Sequence, residues 1–372
     1  EIMIIGVPTE IKNNENRVSA TPGAVSEFVK NKHEVYVQKG AGLGSGITDE
    51  EYVEAGATIL DTAEEVWDKA EMIYKVKEPI ESEYKYFREG QIIYTYLHLS
   101  ADPELTKHLV DKKVTGVAFE TVQQGRVLPL LRPMSEVAGR MAVQEGAKFL
   151  LKTNGGKGKL LNGVPGVAPA YVVIIGAGNV GSAATQIAVG MGARVKVLDV
   201  NIDALSRLED VYGSKIETEY SNPLNIEKAV RDADLVVSTV LIPGRKAPQL
   251  VKEYMVEEME PGSVIVDVAI DQGGSTDLTK GRPTTHDDPV FVEHDVIHYS
   301  VANMPGAAAL TSTYALSNAT TRYGVQIANL GVLEAAKKFP ELIPGINTHD
   351  GYVTLEGVAE DLGYEYKDLG LK

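Results

Sequence analysis

Residues 171–201 read YVVIIGAGNVGSAATQIAVGMGARVKVLDVN, and this stretch sets the fold class of the chain. Tyr171–Ile175 is a short apolar run rich in β-branched residues, which is typical of a buried parallel strand. A glycine-containing turn follows, then a small-residue run with helical spacing, and RVKVLDV predicts a second strand. This order of strand, glycine turn, helix and strand indicates a nucleotide-binding βαβ unit.

The glycine turn predicts where a dinucleotide binds. Gly176, Gly178 and Gly181 have the G-x-G-x-x-G spacing. One glycine of such a turn permits the tight bend, one lets the backbone approach a pyrophosphate, and one lets the helix pack on the strand. The helix N-terminus adds free N–H groups and a positive dipole end. The glycine spacing alone is weak, but the strands, the helix and a terminal acid are all present, so we predict a dinucleotide site.

Asp199 closes the second strand and predicts NAD rather than NADP. A carboxylate at this position accepts hydrogen bonds from the ribose hydroxyls. It would repel a 2′-phosphate, and no arginine follows directly in VNIDAL. Two further apolar runs, ADLVVSTVLIPG and GSVIVDVAID, extend the predicted sheet. DVIHYSVANMPG predicts a last strand that ends near Val301.

The first 130 residues alternate strand and helix, but no glycine fingerprint follows their first strand. MIIGV, HEVYVQK, EMIYKV, QIIYTYL and TGVAFE predict strands, while PGAVSEFVKNK and PELTKHLVDK predict helices. Such alternation is typical of a parallel, doubly wound sheet. We therefore predict an α/β protein with two doubly wound, Rossmann-like domains and a cleft between them. The expected boundaries are residues 1–130 plus 306–372 for a discontinuous substrate domain and residues 131–305 for an NAD-binding domain.

Composition excludes several classes of protein. The 372 residues carry a formal net charge of -16, which disfavours a nucleic-acid partner. Cysteine is absent, so disulfides, thiolate nucleophiles and cysteine-zinc sites are excluded. The first residues, EIMIIGVPTE, lack the basic region of a signal peptide. No run reaches the roughly 18 apolar residues that a membrane helix requires. We therefore expect a cytoplasmic protein with a small-molecule substrate and without nucleic-acid or membrane partners.

Polar side chains follow several of the predicted strands. Arg17 follows the loop after the first strand, Lys77 follows MIYKV, His98 follows IIYTYL, Asp271 follows VIVDVAI and Asn303 follows HYSVA. Ligands of open α/β sheets bind outside the carboxyl ends of the strands. The two cations suit a small carboxylate, His98 suits proton transfer near neutral pH, and Asp271 can orient water or an amine. This pattern predicts an NAD-dependent oxidoreductase that acts on a small carboxylate.

Each of these residues also has a simpler interpretation. A histidine or lysine after a strand is often merely solvated, and Arg17 can pair with Glu10 or Glu15. Only their shared placement beside a dinucleotide site favours a functional role. HDDPVFVEHD is a cluster of histidine and aspartate, but its spacing fits no closed metal site and is typical of a solvated loop.

Long uninterrupted segments resemble the L-alanine dehydrogenase family over essentially the whole chain. They are GVPTEIKNNENRVSATP, VKEP, YLHLS, PLLRPMSEVAGR, IGAGNVG, VDVAIDQGG, GRPTTHDDP and VANMPGA. The resemblance implies reversible oxidative deamination of L-alanine to pyruvate and ammonia, with NAD as hydride acceptor and usually in a homohexamer. It implies that Arg17 and Lys77 hold the substrate carboxylate and that His98 and Asp271 are the catalytic pair.

The resemblance and the glycine motif together predict a cofactor site with a larger set of residues. These are Ser135, Gly176, Gly178, Asn179, Val180, Gly181, Asp199, Ser221, Val240, Leu241, Val268, Ala269, Ile270, Asp271, Arg282, Val301, Ala302, Asn303 and Met304.

The chain departs from the family pattern at three places. Ala204 stands where some members have a basic residue, five positions after the ribose acid. Some members hold magnesium with an acid equivalent to Glu15 and a distant histidine. Leu330 matches that histidine here, so we predict no metal. GAAAL at 306–310 replaces a turn that contains more proline and arginine.

The alternative is the NAD(H)-binding component of a proton-translocating transhydrogenase, which resembles this family in fold and in much of its sequence. That component performs no substrate chemistry alone and needs membrane partners. The presence of both His98 and Asp271 favours the dehydrogenase. Nothing in the sequence positively supports a third class, a non-catalytic NADH sensor.

Overall fold

A computed structural model describes residues 1–242 and 246–371 of the protein. Its strands, in chain order, are β1 (Ile4–Val7), β2 (Glu34–Gln38), β3 (Thr58–Leu60), β4 (Met72–Tyr74), β5 (Ile92–Thr95), β6 (Thr115–Ala118), β7 (Tyr171–Ile175), β8 (Arg194–Asp199), β9 (Ile216–Tyr220), β10 (Leu235–Ser238), β11 (Val264–Asp267), β12 (Val290–Glu293), β13 (Val296–Tyr299), β14 (Ile346–His349) and β15 (Tyr352–Val353).

The α-helices of the described residues begin after polar caps in several cases, such as Thr21, Asp102, Asn201 and Asn222, whose side chains accept an N–H of the first turn. In chain order they are α1 (Pro22–Lys30), α2 (Asp49–Glu54), α3 (Ala63–Lys69), α4 (Glu81–Tyr84), α5 (Pro103–Asp111), α6 (Arg132–Phe149), α7 (Asn179–Gly190), α8 (Ile202–Tyr212), α9 (Pro223–Asp232), α10 (Glu253–Glu257), α11 (Ala309–Leu330), α12 (Val332–Lys338) and α13 (Glu356–Leu362).

The chain divides into two compact units. Unit 1 comprises Glu1–Met134 and the chain from Gly306 onward, and unit 2 comprises Ser135–Pro305. Each unit contains one sheet with helices that cross over between its parallel strands. The predicted α/β fold with two Rossmann-like sheets is therefore confirmed. Among the described residues, none of the helices combines the length and apolar character needed to traverse a lipid bilayer.

The sheet of unit 2 has the strand order β12-β13-β11-β10-β7-β8-β9. All neighbouring pairs are parallel except β12 with β13. Chain order reverses at β7, which has β8 on one side and β10 on the other, and ligands of such sheets bind at this switch point. β13 ends at Tyr299, while Val301 forms only an isolated bridge with Thr284. β12 lies in the segment that the sequence predicted to be a loop, and this expectation was wrong for Val290–Glu293.

The sheet of unit 1 has the order β15-β14-β6-β5-β4-β1-β2-β3. The first six strands of the chain pair in parallel. The sequence predicted five of them, whereas the short edge strand β3 was not predicted. The chain after unit 2 adds β14 antiparallel to β6, and β15 antiparallel to β14. Antiparallel edge strands of this kind are common on otherwise parallel sheets.

Aromatic side chains join the sheet of unit 1 to its longest described helix, α11. Tyr74 of β4 and Tyr94 of β5 stack with ring centroids 5.5 Å apart. The Tyr94 hydroxyl donates to the Thr320 carbonyl of α11 at 2.8 Å. Gly324 lies over these rings, where an added Cβ would come within 3.1 Å of Phe28 and 3.3 Å of Tyr94. The helix therefore packs closely on the sheet.

The stability of unit 2 should depend on pH through His298. This residue is fully buried in β13 and stacks on Phe291 with ring centroids 4.9 Å apart. Burial lowers the pKa of His298 from 6.5 to about 4. Because the folded pKa lies below the unfolded one, the unfolded chain takes up a proton first on acidification. Stability is then full above pH 6.5 and is lost as the pH falls toward about 4.

We therefore expect the wild type to lose about 2 kcal/mol more unfolding free energy than His298→Gln between pH 7 and pH 4.5, since each pKa unit corresponds to about 1.4 kcal/mol. Urea denaturation of both proteins at the two pH values measures this difference. Equal losses of unfolding free energy in the two proteins would show that His298 does not cause this pH dependence.

Candidate active site

The candidate residues of both units lie just beyond the carboxyl ends of parallel strands. In unit 1, Arg17 follows β1, Lys77 follows β4 and His98 follows β5. In unit 2, Asp199 is the last residue of β8, and Asp271 follows β11. Parallel strands direct their carboxyl ends to the same edge of a sheet, so each unit gathers its candidates at one edge.

The glycine turn of unit 2 has the geometry that a pyrophosphate requires. Gly176 has a φ of +110°, which L side chains rarely adopt. A Cβ at Gly181 would lie 1.8 Å from the Gly176 carbonyl oxygen, so only glycine allows α7 this close to β7. A Cβ at Gly178 would meet no atom within 4 Å. The backbone before α7 is therefore exposed and can be approached by a ligand.

Asp199 lies against this turn. Its Oδ2 accepts the Ala177 N–H at 2.6 Å, and its Oδ1 accepts the Asn201 N–H at 2.7 Å. The carboxylate is half-buried and retains lone pairs for further donors. An open backbone at the start of α7 and a carboxylate beside it fit a bound NAD, with the turn at the pyrophosphate and Asp199 at a ribose.

Other residues of the predicted cofactor site assemble around the same turn. Val240 lies beside it, since a Cβ at Gly176 would come within 3.3 Å of the Val240 side chain. The Ser221 N–H donates to the Asp199 carbonyl at 3.1 Å. Ser135 lies in α6, and Gly139 of that helix packs against the Val180 carbonyl of α7.

The remaining predicted cofactor residues differ in exposure. Arg282 is exposed, lies 3.7 Å from the Phe291 ring centroid, and pairs with Glu293 at 2.9 Å. Asn179 is also exposed, at the start of α7. Leu241, Ala302 and Asn303 are half-buried, whereas the following are buried: Val180, Val268, Ala269, Ile270, Val301 and Met304. The buried side chains are apolar, so under the predicted assignment they would line the walls of the cofactor site.

Arg17 is buried and pairs with Glu15, which is the simpler of the two interpretations offered by the sequence. Its Nη2 lies 2.6 Å from Glu15 Oε1, and its Nε donates to Glu15 Oε2 at 2.8 Å. Its Nη1 faces the Met134 sulfur at 3.3 Å. Burial alone would lower the pKa of Arg17, but the bonds to Glu15 raise it. The guanidinium is thus held in one orientation, and a substrate role for it remains a prediction.

Lys77 lies in a loop that Glu10 holds in place. The Lys77 N–H donates to Glu10 Oε1 at 2.8 Å, and its carbonyl accepts the Thr95 hydroxyl at 3.1 Å. Glu10 is buried and pairs with the buried Lys75 at 3.2 Å, while Lys75 also lies 3.5 Å from Glu83. Burial alone would lower the pKa of Lys75, but these carboxylates raise it and keep the side chain an ammonium.

His98 is exposed and has a strained backbone. Its φ of 49° and ψ of 46° lie in the left-handed region, which non-glycine residues rarely adopt. Its ring stacks with Tyr96 at a centroid distance of 6.4 Å. The His98 N–H donates to Glu120 Oε1 at 2.7 Å. Strain of this kind persists only when surrounding contacts hold it, and it is found preferentially at functional sites.

Asp271 lies in the 3-10 turn Val268–Gln272 and is exposed. Its Oδ1 accepts the Asn303 N–H at 3.3 Å, which brings together two predicted site residues. Asn303 has a left-handed φ of 60°, and its carbonyl lies 3.1 Å from His286 Nε2.

The buried Asp267 caps the turn that carries Asp271. Its carboxylate accepts the N–H groups of Ala269 and Ser275 and the hydroxyls of Ser275 and Thr279. Asp271 is thus mounted on a well-anchored segment, although its own side chain is exposed to solvent.

The sequence interpretation missed several residues that organise these loops, namely Glu10, Glu120, Asp267 and Thr239. Thr239 donates to the Ile175 carbonyl at 2.8 Å and packs against the glycine turn. Glu10, Glu120 and Asp267 could have been identified from the sequence, because each ends or closely follows a predicted strand. Only Asp199 and Asp271 were identified on that basis.

The structure also shows where the three departures from the family pattern lie. Ala204 is buried in the first turn of α8 and donates its N–H to Asn201. Leu330 is the last residue of α11, and its side chain offers no metal donor. In the GAAAL segment, α11 begins at Ala309.

Within the described part of the chain, one exposed group has metal-ligating side chains close together: Glu253, Glu257 and His294. His294 belongs to the histidine and aspartate cluster of the sequence. Its Nε2 lies 2.9 Å from Glu253 and 3.8 Å from Glu257. The group is an open set of three exposed surface donors.

These features define a class of protein. The chain has two α/β units. One carries a dinucleotide turn with its ribose acid, and the other carries cations and a histidine at the carboxyl edge of its sheet. This organisation is that of an NAD-dependent dehydrogenase. The family models for the N-terminal and C-terminal domains of alanine dehydrogenase/PNT match residues 6–138 and 142–356. The chain belongs to the alanine dehydrogenase/PNT family.

Individual relatives agree with this assignment. The alanine dehydrogenase of Methanococcus maripaludis is 62% identical over 365 residues, which cover 97% of this chain and 98% of that relative. A solved L-alanine dehydrogenase superposes with a TM-score of 0.94 at 47% identity, covering 97% of this chain and 99% of the other. A transhydrogenase from Sinorhizobium meliloti superposes with a TM-score of 0.80 at 25% identity, covering 96% and 99%.

The glycine turn allows a matched pair of substitutions. Gly178→Ala should leave the melting temperature nearly unchanged, because its Cβ meets open space, but should weaken NADH binding roughly tenfold or more by blocking the approach of the pyrophosphate. Gly181→Ala should instead lower the unfolding free energy by about 2 kcal/mol or more, because its Cβ overlaps the Gly176 carbonyl. Thermal melting and NADH fluorescence titration measure the two effects. Normal NADH affinity in Gly178→Ala would refute the placement of the pyrophosphate.

Proposed function

We propose that this chain catalyses the reversible oxidative deamination of L-alanine to pyruvate and ammonia with NAD as the hydride acceptor. The chain is an NAD-dependent oxidoreductase, and the observation that carries the substrate is its 62% identity to the Methanococcus maripaludis alanine dehydrogenase over nearly the full length of both chains. The matching residues include both units, so the similarity is not limited to the NAD-binding half.

The transhydrogenase alternative is less well supported. The solved transhydrogenase shares 25% of its residues with this chain, whereas the solved L-alanine dehydrogenase shares 47%. A protein that only binds NAD(H) would also have no need for a histidine in a strained backbone beyond β5. The dehydrogenase is therefore the stronger proposal.

Substrate binding is assigned to unit 1. Lys77 presents an ammonium from a loop that Glu10 anchors, and Arg17 presents a guanidinium whose orientation Glu15 restricts. Cations held in this way bind a carboxylate with little loss of side-chain entropy. We propose that they hold the carboxylate of alanine or pyruvate, while NAD binds to the glycine turn and Asp199 of unit 2.

Proton transfer is assigned to His98 and Asp271. NAD supplies the acceptor for the hydride of the alanine α-carbon. Water then adds to the resulting imine, and the carbinolamine expels ammonia. His98 removes the proton from the attacking water and returns one to the departing amine, while Asp271 orients water or the amine and stabilises positive charge. Overall, alanine, NAD⁺ and water give pyruvate, ammonium, NADH and one proton.

We also propose that the protein acts as a homohexamer in the cytoplasm without a resident metal. The family resemblance supports the hexamer, and the use of NAD and pyruvate, which are intracellular metabolites, supports the location. The assignment of unit 1 to the substrate and unit 2 to NAD belongs to the same proposal.

A panel of substrates tests the reaction. The purified protein should form NADH from NAD and L-alanine, and should consume NADH with pyruvate and ammonium. NADP should be used poorly, because the Asp199 carboxylate repels a 2′-phosphate. Absorbance at 340 nm follows both directions. Tight NADH binding without turnover of any amino acid or 2-oxo acid would favour the transhydrogenase component instead.

Substitutions at the two proposed proton-transfer residues separate catalysis from binding. Asp271→Asn and His98→Asn each preserve approximate size and hydrogen bonding but remove basicity. Each should lower kcat by roughly a hundredfold, the range for a lost acid–base group, with NADH affinity nearly unchanged. Steady-state kinetics and NADH titration measure these quantities. Near-normal kcat in both variants would refute the proton-transfer roles proposed for His98 and Asp271.

A further inference from the structure

The Glu120 carboxylate holds the backbone that carries His98. Glu120 lies in the 3-10 turn Phe119–Thr121, which directly follows β6. Its Oε1 accepts the His98 N–H at 2.7 Å. Both of its carboxylate oxygens also lie 3.2 Å from the Leu97 nitrogen and accept that N–H. Two consecutive N–H groups therefore converge on one carboxylate, and such charge-assisted bonds are stronger than neutral ones.

These bonds coincide with the strained conformation of His98. A non-glycine residue in the left-handed region costs roughly 1–3 kcal/mol, so contacts are needed to maintain it. The Glu120 bonds pass between neighbouring parallel strands, because β5 pairs with β6 through Thr95 and Ala118. Loss of the carboxylate would leave two N–H groups without this acceptor and would allow the His98 backbone to relax, which would move the imidazole.

Glu120 is itself well anchored. Asn347 of β14 donates to the Thr121 hydroxyl at 2.9 Å, on the residue after Glu120. Phe119, on the residue before it, makes an edge contact with Tyr96 at a centroid distance of 5.0 Å. The Tyr96 hydroxyl donates to the Leu130 carbonyl at 2.6 Å, and its ring stacks with His98. Glu120 therefore fixes the backbone of His98, and Tyr96 supports its ring.

We infer that Glu120 is the positioning residue of His98, which holds the imidazole in its working orientation by fixing the Leu97–His98 backbone. This inference rests on the proposed function, because it assigns to Glu120 an effect on the proton-transfer step. Glu120 acts through the His98 backbone and has no direct role with the substrate.

Two substitutions of Glu120 test this role. Glu120→Ala should lower kcat by roughly tenfold to a hundredfold, because a displacement near 1 Å of a reacting group can cost that much. The KM for pyruvate and the NADH dissociation constant should change less than about threefold, since other residues bind these ligands. Glu120→Gln retains an acceptor oxygen for the two N–H groups and should restore most of the lost kcat. Glu64→Ala, at an exposed glutamate of α3, controls for the removal of one negative charge.

A double-mutant cycle distinguishes positioning from general stability. In the His98→Asn background, Glu120→Ala should cause little further loss of kcat, because the group that it positions is already gone. A purely structural role would lower kcat by the same factor in both backgrounds, with a matching fall in melting temperature.

The outcomes separate this inference from the proposed function. Independent, multiplicative losses in the cycle, or an unchanged kcat in Glu120→Ala, would overturn the positioning role while alanine turnover by the wild type stands. Absence of wild-type turnover with every amino acid would overturn the proposed function itself. Loss of NADH binding in Glu120→Ala would also reject the inference, because it would place the effect outside the proton-transfer step.

Discussion

One recurring interaction holds the loops that carry the candidate residues of both units. A carboxylate at or just after the end of one parallel strand accepts backbone N–H groups of the loop that follows the neighbouring strand. Glu10 does this for Lys77, Glu120 for His98, Asp199 for Ala177 and Asp271 for Asn303. In each case the two strands are neighbours in the sheet. The loops need such acceptors because their N–H groups leave the hydrogen-bond ladder where the strands end.

The location of these acids also has an electrostatic reason. Crossover helices begin at the edge where parallel strands end, so their positive N-terminal dipole ends favour carboxylates there. Under the proposed assignment, this edge of the unit 2 sheet holds the phosphates of NAD, and this edge of the unit 1 sheet holds the carboxylate of the substrate. Two acids that lie close to the predicted substrate cations form ion pairs. Glu15 pairs with Arg17 itself, and Glu10, which accepts the Lys77 N–H, pairs with Lys75.

Much of the fold could be predicted because its signals are local. The apolar run Tyr171–Ile175 and the glycines after it form β7 and the start of α7. The inner parallel strands of both units lie where the apolar runs indicated, whereas the edge strands β3 and β9 were not predicted. The strands at and near the sheet edges were harder to predict. Val290–Glu293 is short and only partly buried, and β14 is specified by pairing with β6, more than 200 residues earlier in the chain. Local pattern contains little information about such pairing.

The sequence by itself determined the fold class, the dinucleotide turn and the identities of the candidate acid, base and cations, because spacing and residue chemistry are local properties. Only the tertiary structure decided which of these groups are fixed by contacts with other residues, and which residues make those contacts. Arg17 is buried against Glu15, His98 adopts a left-handed backbone under Glu120, and Asp271 meets Asn303 across neighbouring strands. These contacts depend on strand order and on the burial of charge, which arise only when distant segments pack together.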